Sequence, residues 1–209
     1  IMAAQLILRR PEDRESTMTN ASRIVNRLRH VSSMVDDVLD ASVLSAGEKL
    51  SLPFDECNLR ELLQRAARDF NAEQADRVRL DLEGSLQGQW NAGAIRRIVD
   101  NLVGNALKYG APDRPVTIVA RATSPGVALS VHNFGSPISP GDQTILFQQF
   151  RRAKGTSSKS GWGLGLLVAK GLTEAHGGEI RVESKPESGT TFTVSLPWDS
   201  RRQVDAIPA

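Results

Sequence analysis

Of the 209 residues only Cys57 is a cysteine, which excludes an intramolecular disulfide framework and suits a reducing cytosol. No apolar run approaches the roughly 20 residues needed to cross a bilayer, and nothing in the chain reads as a signal peptide. Membrane attachment is therefore not visible in this segment. The formal net charge is only +2, so no basic surface argues for nucleic acid. No Gly-Lys-Ser/Thr closes a phosphate loop, and no glycine run has the dinucleotide spacing. What is present is 40% apolar content, enough for one globular domain with a helical appendage.

The most informative segment is a glycine run, Gly161-Trp162-Gly163-Leu164-Gly165-Leu166. Glycine lets the backbone approach a ligand closely. The apolar residues from Leu164 to Ala169 would begin a helix whose free N–H groups and positive dipole end face an anion, the usual way of holding phosphate. Glycine serves loops and tight helix packing equally well, so the run alone leaves its purpose open. A companion lies upstream, from Ile95 to Tyr109, where Ile95, Val99, Leu102 and Ala106 recur at helical spacing and define a core face. Asn101, Asn105 and Lys108 fall on another side, four and three residues apart, so that two amides and an ammonium point one way. Amide oxygens suit a hard cation such as magnesium, and Lys108 suits a phosphate oxygen. A solvated face would show the same three polar residues, but asparagine is a poor helix-interior residue and two of them a turn apart need a reason.

The remaining pattern gives the organisation. Met18, Ala21, Val25, Leu28, Val35 and Leu39 follow seven-residue spacing, widened by Ile24, Val31 and Val38 and interrupted by Ser32. A stripe of that width belongs to a helical bundle and predicts self-association, the alternative being a helix packed on its own neighbouring domain. Gly47-Glu48-Lys49 reads as a hinge, followed by a short strand at Leu50–Leu52. Asn58-Leu59-Arg60-Glu61 has capping-box spacing and opens a helix to about Ala75. Strands are expected at Val78–Leu82 and Gln87–Trp90, a hairpin at Val116–Arg121 and Val127–His132, and a second at Glu179–Ser184 and Thr190–Leu196. The result is an α+β chain: an α/β sandwich with a mixed, mainly antiparallel sheet and helices on one face, preceded by a helical hairpin. Arg201–Ala209 is expected to be a loose tail.

Five ordered segments resemble the catalytic ATP-binding domain of sensor histidine kinases, in the wider group of gyrase-type and heat-shock-chaperone ATPases. Asn101 to Tyr109 is similar to the family's N-box, and Asn133-Phe134-Gly135-Ser136-Pro137-Ile138 stands in the place of its first glycine box. Leu146-Phe147-Gln148-Gln149-Phe150 resembles its phenylalanine box, Gly161 to Leu166 its second glycine box, and Ser188 to Phe192 its closing glycine-threonine segment. Met34 to Ser42 looks like the end of the second helix of the family's dimerisation and histidine-phosphotransfer hairpin. Met2 to Leu8 would then be the tail of the first hairpin helix, Pro11 the turn, and Ser16 or Thr17 the cap of the second.

The resemblance implies a cofactor pair of ATP and Mg2+, with Asn105 on the metal and Asn101 beside it. Lys108 would meet phosphate, Tyr109 would border the nucleotide and Asn133 would read adenine. Gly135, Ile138, Gly161, Gly163, Leu164, Gly165, Leu166 and Thr191 would complete the pocket. Residues 135 to 161 would form a lid, with Arg151, Arg152, Lys154 and Lys159 near the phosphates and Phe147 and Phe150 anchoring it. The implied partners are a second copy, as a homodimer through the hairpin, and a response regulator receiver domain. The expected division is 1–46 hairpin, 47–198 ATP-binding domain and 199–209 tail, the domain being cytoplasmic.

Two departures stand out. Asn133 replaces the family's adenine-reading aspartate and Pro137 a glycine; the amide oxygen accepts the same bond without charge assistance, a loss of about 1 kcal/mol. The phosphoacceptor motif of the family is absent, and the chain is expected to begin just after it. His30, His132 and His176 read as structural residues. Two other classes of function fit the pattern. A nucleotide-binding scaffold that has lost catalysis would bind ATP without self-labelling, and a dimerisation module would bind no nucleotide.

Overall fold

The computed structural model describes residues 2–9, 11–48, 50–74, 76–148 and 163–203. Its compact units are two, 1–40 and 41–209.

The first unit holds helix α1, Met2–Arg9, and most of helix α2, Arg14–Ser45. Asp13, rather than Ser16 or Thr17, starts α2: its Oδ1 accepts the Ser16 N–H at 3.0 Å and its carbonyl accepts the Thr17 N–H at 2.8 Å. Three capping residue types crowd within five positions, and the first takes the free donors. The apolar stripe of α2 faces outward within this unit, with Met18, Leu28, Val31 and Leu39 each more than half exposed. The last turn of α2 belongs to the second unit, because Ala41 is part of that unit's core and Leu44 packs on helix α6, Gly165–Ala175, which follows the one-turn helix α5, Pro140–Gln143.

In the second unit a five-stranded sheet has the order β2-β4-β5-β7-β6. Its strands are β2, Val78–Glu83; β4, Val116–Ala122; β5, Gly126–Asn133; β6, Glu179–Lys185; and β7, Gly189–Pro197. The β2–β4 pairing is parallel and the other three are antiparallel. Alternation sorts the faces: Val116, Ile118, Ala120, Val127, Leu129, Val131, Phe192, Val194 and Leu196 are buried, while Thr117, Ser130, His132, Thr191 and Thr193 lie on the other side. Helices α3, Leu59–Gln74, α4, Ala92–Tyr109, and α6, Gly165–Ala175, supply the rest of that core through Leu63, Ile95, Ile98, Leu102, Val168 and Leu172. The architecture is the expected mixed, mainly antiparallel sheet with its helices.

Three local expectations change. The extended pairing falls on β1, Asp55–Asn58, not Leu50–Leu52. Its antiparallel partner is β3, Gln87–Trp90, with Cys57 opposite Gly88, and this ladder organises a segment that has no apolar alternation of its own. The helix expected to reach Ala75 ends at Gln74, Ala75 lying outside the described residues along with Lys49 of the hinge. The tail is not loose from Arg201: Ser200–Gln203 form a 3-10 turn with Ser200 fully buried. Trp198 pairs with Trp90 at 5.9 Å, and its carbonyl accepts the Gln89 N–H. Residues 204–209 lie outside the described part.

Candidate functional site

Helix α4 is the wall on which the site is built. Asn91 caps it, accepting the Ala94 N–H on Oδ1 at 2.8 Å and donating from Nδ2 to Pro53 O at 2.8 Å. The backbone N–H of Asn91 donates to His176 Nε2 at 3.1 Å, and His176 Nδ1 lies 2.7 Å from Leu172 O. His176 is fully buried, and that burial pushes its pKa below the ordinary histidine value. It is thus a neutral structural link between the end of α6 and the start of α4, as its position before Gly177-Gly178 suggested.

With Ile95, Ile98, Val99, Leu102, Val103 and Ala106 buried on one face of α4, Asn101, Asn105 and Lys108 stand at its half-buried margin. Neither the Asn101 nor the Asn105 side chain makes a hydrogen bond among the described residues. Lys108 Nζ lies 4.7 Å from the Tyr109 ring centroid. Gly165, the first residue of α6, is pressed against this margin: a Cβ there would lie 2.4 Å from Asn101 Oδ1. Leu164 occupies the cap position of α6 without a side-chain hydrogen bond to the helix. Among the described residues the opening N–H groups of α6 therefore have no side-chain cap, which is the condition for receiving an anion. Gly163, in the preceding turn, has φ +72°, a conformation glycine adopts without strain. Leu166 lies in the first turn of α6 and is half-buried.

The other end of α4 meets the end of β5. Gly110 follows the helix so closely that a Cβ would stand 3.2 Å from Asn133 Nδ2 and 2.4 Å from Ala106 O. Gly110 also pairs with Gly135 in an isolated bridge, and the Ala111 N–H donates to Phe134 O at 2.7 Å. Asn133 is 7% exposed and donates from Nδ2 to Phe134 O at 3.2 Å. Ile138 is drawn in by its N–H, which donates to Ser184 Oγ at 2.9 Å, while Gln143 Nε2 donates to Ile138 O at 2.8 Å. Ser184 Oγ is in turn 2.7 Å from Thr190 Oγ1.

Thr191 is not brought to this cluster. Register places Asn133 opposite Thr190, and Thr191 opposite His132; Thr191 Oγ1 lies 3.0 Å from His132 Nδ1 on the far face of the sheet. Thr190, which is 4% exposed, is the threonine on the Asn133 side. Strand parity carries the signal that would have found it, since Phe192 must face the core and Thr190 shares its side. Ser184 and Gly110 gave no comparable sign, their roles depending on loops. Phe147 anchors as expected, its ring edge-on to Phe192 at 6.3 Å. Gly161, Phe150, Arg151, Arg152, Lys154 and Lys159 lie outside the described residues.

From Asn101 to Gly110 the helix runs about 14 Å. One end offers uncapped N–H groups and two unengaged amides; the other offers a buried amide in a polar cluster. Among the described residues no group of three or more His, Cys, Asp or Glu could hold a metal alone. The donor set instead fits an ion that keeps water and shares ligand phosphates.

Comparison with known proteins accounts for this arrangement. Residues 90–200 match the model of the histidine kinase-, DNA gyrase B- and HSP90-like ATPases. Histidine protein kinase DivJ of Caulobacter vibrioides is 33% identical over 185 residues, covering 86% of this chain and 31% of DivJ. The catalytic domain of histidine kinase ThkA, in a nucleotide-free form, superposes with a TM-score of 0.64 at 24% identity, over 72% of this chain and 99% of that one. Full-length ShkA in complex with AMPPNP gives 0.66 at 23% identity, over 88% of this chain and 39% of ShkA. The chain thus spans about a third of the length of DivJ. It belongs to the family of histidine kinase-, DNA gyrase B- and HSP90-like ATPases and carries the catalytic ATP-binding domain of a sensor histidine kinase.

Proposed function

We propose that ATP lies along α4 with its base at Asn133 and its triphosphate at the start of α6. Asn105 ligates a Mg2+ ion shared with the phosphates, Asn101 stands beside it, Lys108 meets a phosphate oxygen and Tyr109 borders the nucleotide. Gly163, Leu164, Gly165 and Leu166 present the helix end; Gly135 and Ile138 line the base side, with Thr190 in the place expected of Thr191. The observation that carries this reading is the pair Asn101 and Asn105. Two amides one turn apart make no hydrogen bond among the described residues, and the first of them, Asn101, meets Gly165 at the start of a second helix, an arrangement that suits a bound anion and its metal. The bound metal supplies charge neutralisation, and the protein supplies position.

In the whole protein, the γ-phosphoryl group goes to a histidine upstream of this chain and then to an aspartate of a response regulator receiver domain. The chain acts as a homodimer through α1 and α2, whose exposed stripe includes Val25, Leu28, Val35 and Val38. Residues 1–46 form the hairpin portion and 47–198 the ATP-binding domain, extended by the 3-10 turn; the domain works in the cytoplasm. Among the described residues no helix is long and apolar enough to cross a membrane.

Calorimetric titration of the chain with Mg2+ and a non-hydrolysable ATP analogue tests the core of this proposal. Saturable heat is expected for the wild type, with affinity falling roughly a hundredfold in Asn105→Asp, where a carboxylate replaces the amide beside phosphate charge. No saturable heat, or an unchanged isotherm in the variant, overturns it.

A further inference from the structure

At the position that meets the base, an amide differs from a carboxylate in more than charge, because it carries a donor as well as an acceptor. Asn133 donates from Nδ2 to Phe134 O at 3.2 Å, and its Oδ1 accepts no hydrogen bond among the described residues. The bond to Phe134 O is the lesser of two that this oxygen receives, the other coming from the Ala111 N–H at 2.7 Å. Turning the amide half a revolution about χ2 exchanges Oδ1 and Nδ2 within nearly the same volume. The turn forfeits one long hydrogen bond and sets Oδ1 facing the Phe134 carbonyl, acceptor against acceptor, while that carbonyl keeps its bond from the Ala111 N–H. Gly110 leaves clearance for it, since a Cβ there would already stand 3.2 Å from Nδ2. In one orientation the group accepts from an exocyclic amino group; in the other it donates to an exocyclic oxygen. A carboxylate offers only acceptors and opposes that oxygen.

We propose that Asn133 admits purine nucleoside triphosphates bearing either a 6-amino or a 6-oxo group, an inference that rests on the nucleotide site proposed above. The lost hydrogen bond to Phe134 O and the facing oxygens that replace it set a preference for the amino form of about thirtyfold. A reader of fixed polarity would reject the wrong partner by roughly 10⁴-fold.

The test is calorimetric titration of the full chain with Mg2+ and either ATP or inosine triphosphate, which carries the 6-oxo group without a 2-amino group. The expected result is saturable binding of both, with inosine triphosphate weaker by about thirtyfold or less. In Asn133→Asp, with a melting curve confirming a folded domain, ATP should tighten roughly fivefold and inosine triphosphate weaken by about a hundredfold or more. ATP binding with no inosine triphosphate binding at a hundredfold higher concentration overturns the inference and leaves the nucleotide site standing. An unchanged ratio of the two nucleotides in a folded Asn133→Asp variant overturns it as well. Absence of heat from both nucleotides in the wild type defeats the site itself. The wild-type ratio needs no variant, so misfolding of Asn133→Asp leaves the test intact.

Discussion

Midway along α4 two amides make no hydrogen bond among the described residues; past its C-terminal end the neighbouring polar groups are held by the fold. Among the described residues Asn101 and Asn105 make no side-chain hydrogen bond, and Asn101 lies against Gly165 at the start of α6. Ser184, Thr190 and the Ile138 N–H are joined by hydrogen bonds, and Asn133 bonds the Phe134 carbonyl with Gly110 and Gly189 close against it. The difference teaches that the two ends meet their ligand in different ways. The base end is preorganised and its residues are fixed by the fold, so changes there register first as lost stability. The phosphate end is held in place by packing behind it, and its exposed polar atoms are available to be satisfied from outside.

Five substitutions and a pH series press on that contrast. The largest effect is expected from Gly189→Ala: Gly189 has φ +77°, and a Cβ would lie 2.3 Å from Asn133 O, a backbone atom that cannot step aside. A loss of about 3 kcal/mol is expected, seen as a fall in Tm of roughly 6–12 °C. Gly165→Ala should behave oppositely. Its Cβ meets the mobile end of Asn101, so the fold gives way cheaply while the amide is displaced; Tm should move by no more than about 3 °C and nucleotide affinity should fall roughly tenfold or more. If both glycine variants lose stability alike, the contrast between the ends is wrong.

Thr190→Val and Thr191→Val divide the base end from the far face of the same strand. Removing the Thr190 hydroxyl breaks its bond to Ser184 inside the cluster and should weaken the nucleotide about fivefold, whereas Thr191→Val should leave affinity within about twofold. Equal effects in the isotherms would return Thr191 to the pocket. The smallest effect concerns His176, which braces α4 from behind. Its folded pKa is depressed by burial, so the unfolded chain binds the extra proton more readily. The stabilisation is present above the ordinary histidine value of 6.5 and is lost as pH falls below it. A Tm series from pH 7.5 to 5 should decline, and the decline should be shallower in His176→Gln.

Much of this was legible beforehand, for identifiable reasons. Both hairpins follow from alternation of apolar residues on strands with one buried face. The Asn58–Glu61 cap forms as its spacing indicated, Asn58 Oδ1 accepting the Glu61 N–H at 3.3 Å and Nδ2 donating to Glu61 Oε1 at 3.0 Å. Asn101 and Asn105 showed themselves because asparagine pairs are anomalous within an apolar helix. Strand β1 was hidden because Asp55-Glu56-Cys57-Asn58 carries no apolar period, and only its ladder to β3 makes it extended. Motif position points to Thr191, whereas strand parity points to Thr190. Gly110 and Ser184 could not be seen from sequence, since each meets a neighbour brought from far along the chain, Asn133 for the first and the Ile138 backbone for the second.

Cys57 has a practical consequence. The sole thiol of the chain is 6% exposed and paired opposite Gly88, and desolvation raises its pKa, keeping it in the unreactive protonated form. A cysteine introduced on the surface would be the one site open to a maleimide dye or nitroxide. Spectroscopic distance measurements could therefore begin from the natural sequence, with no prior replacement of Cys57.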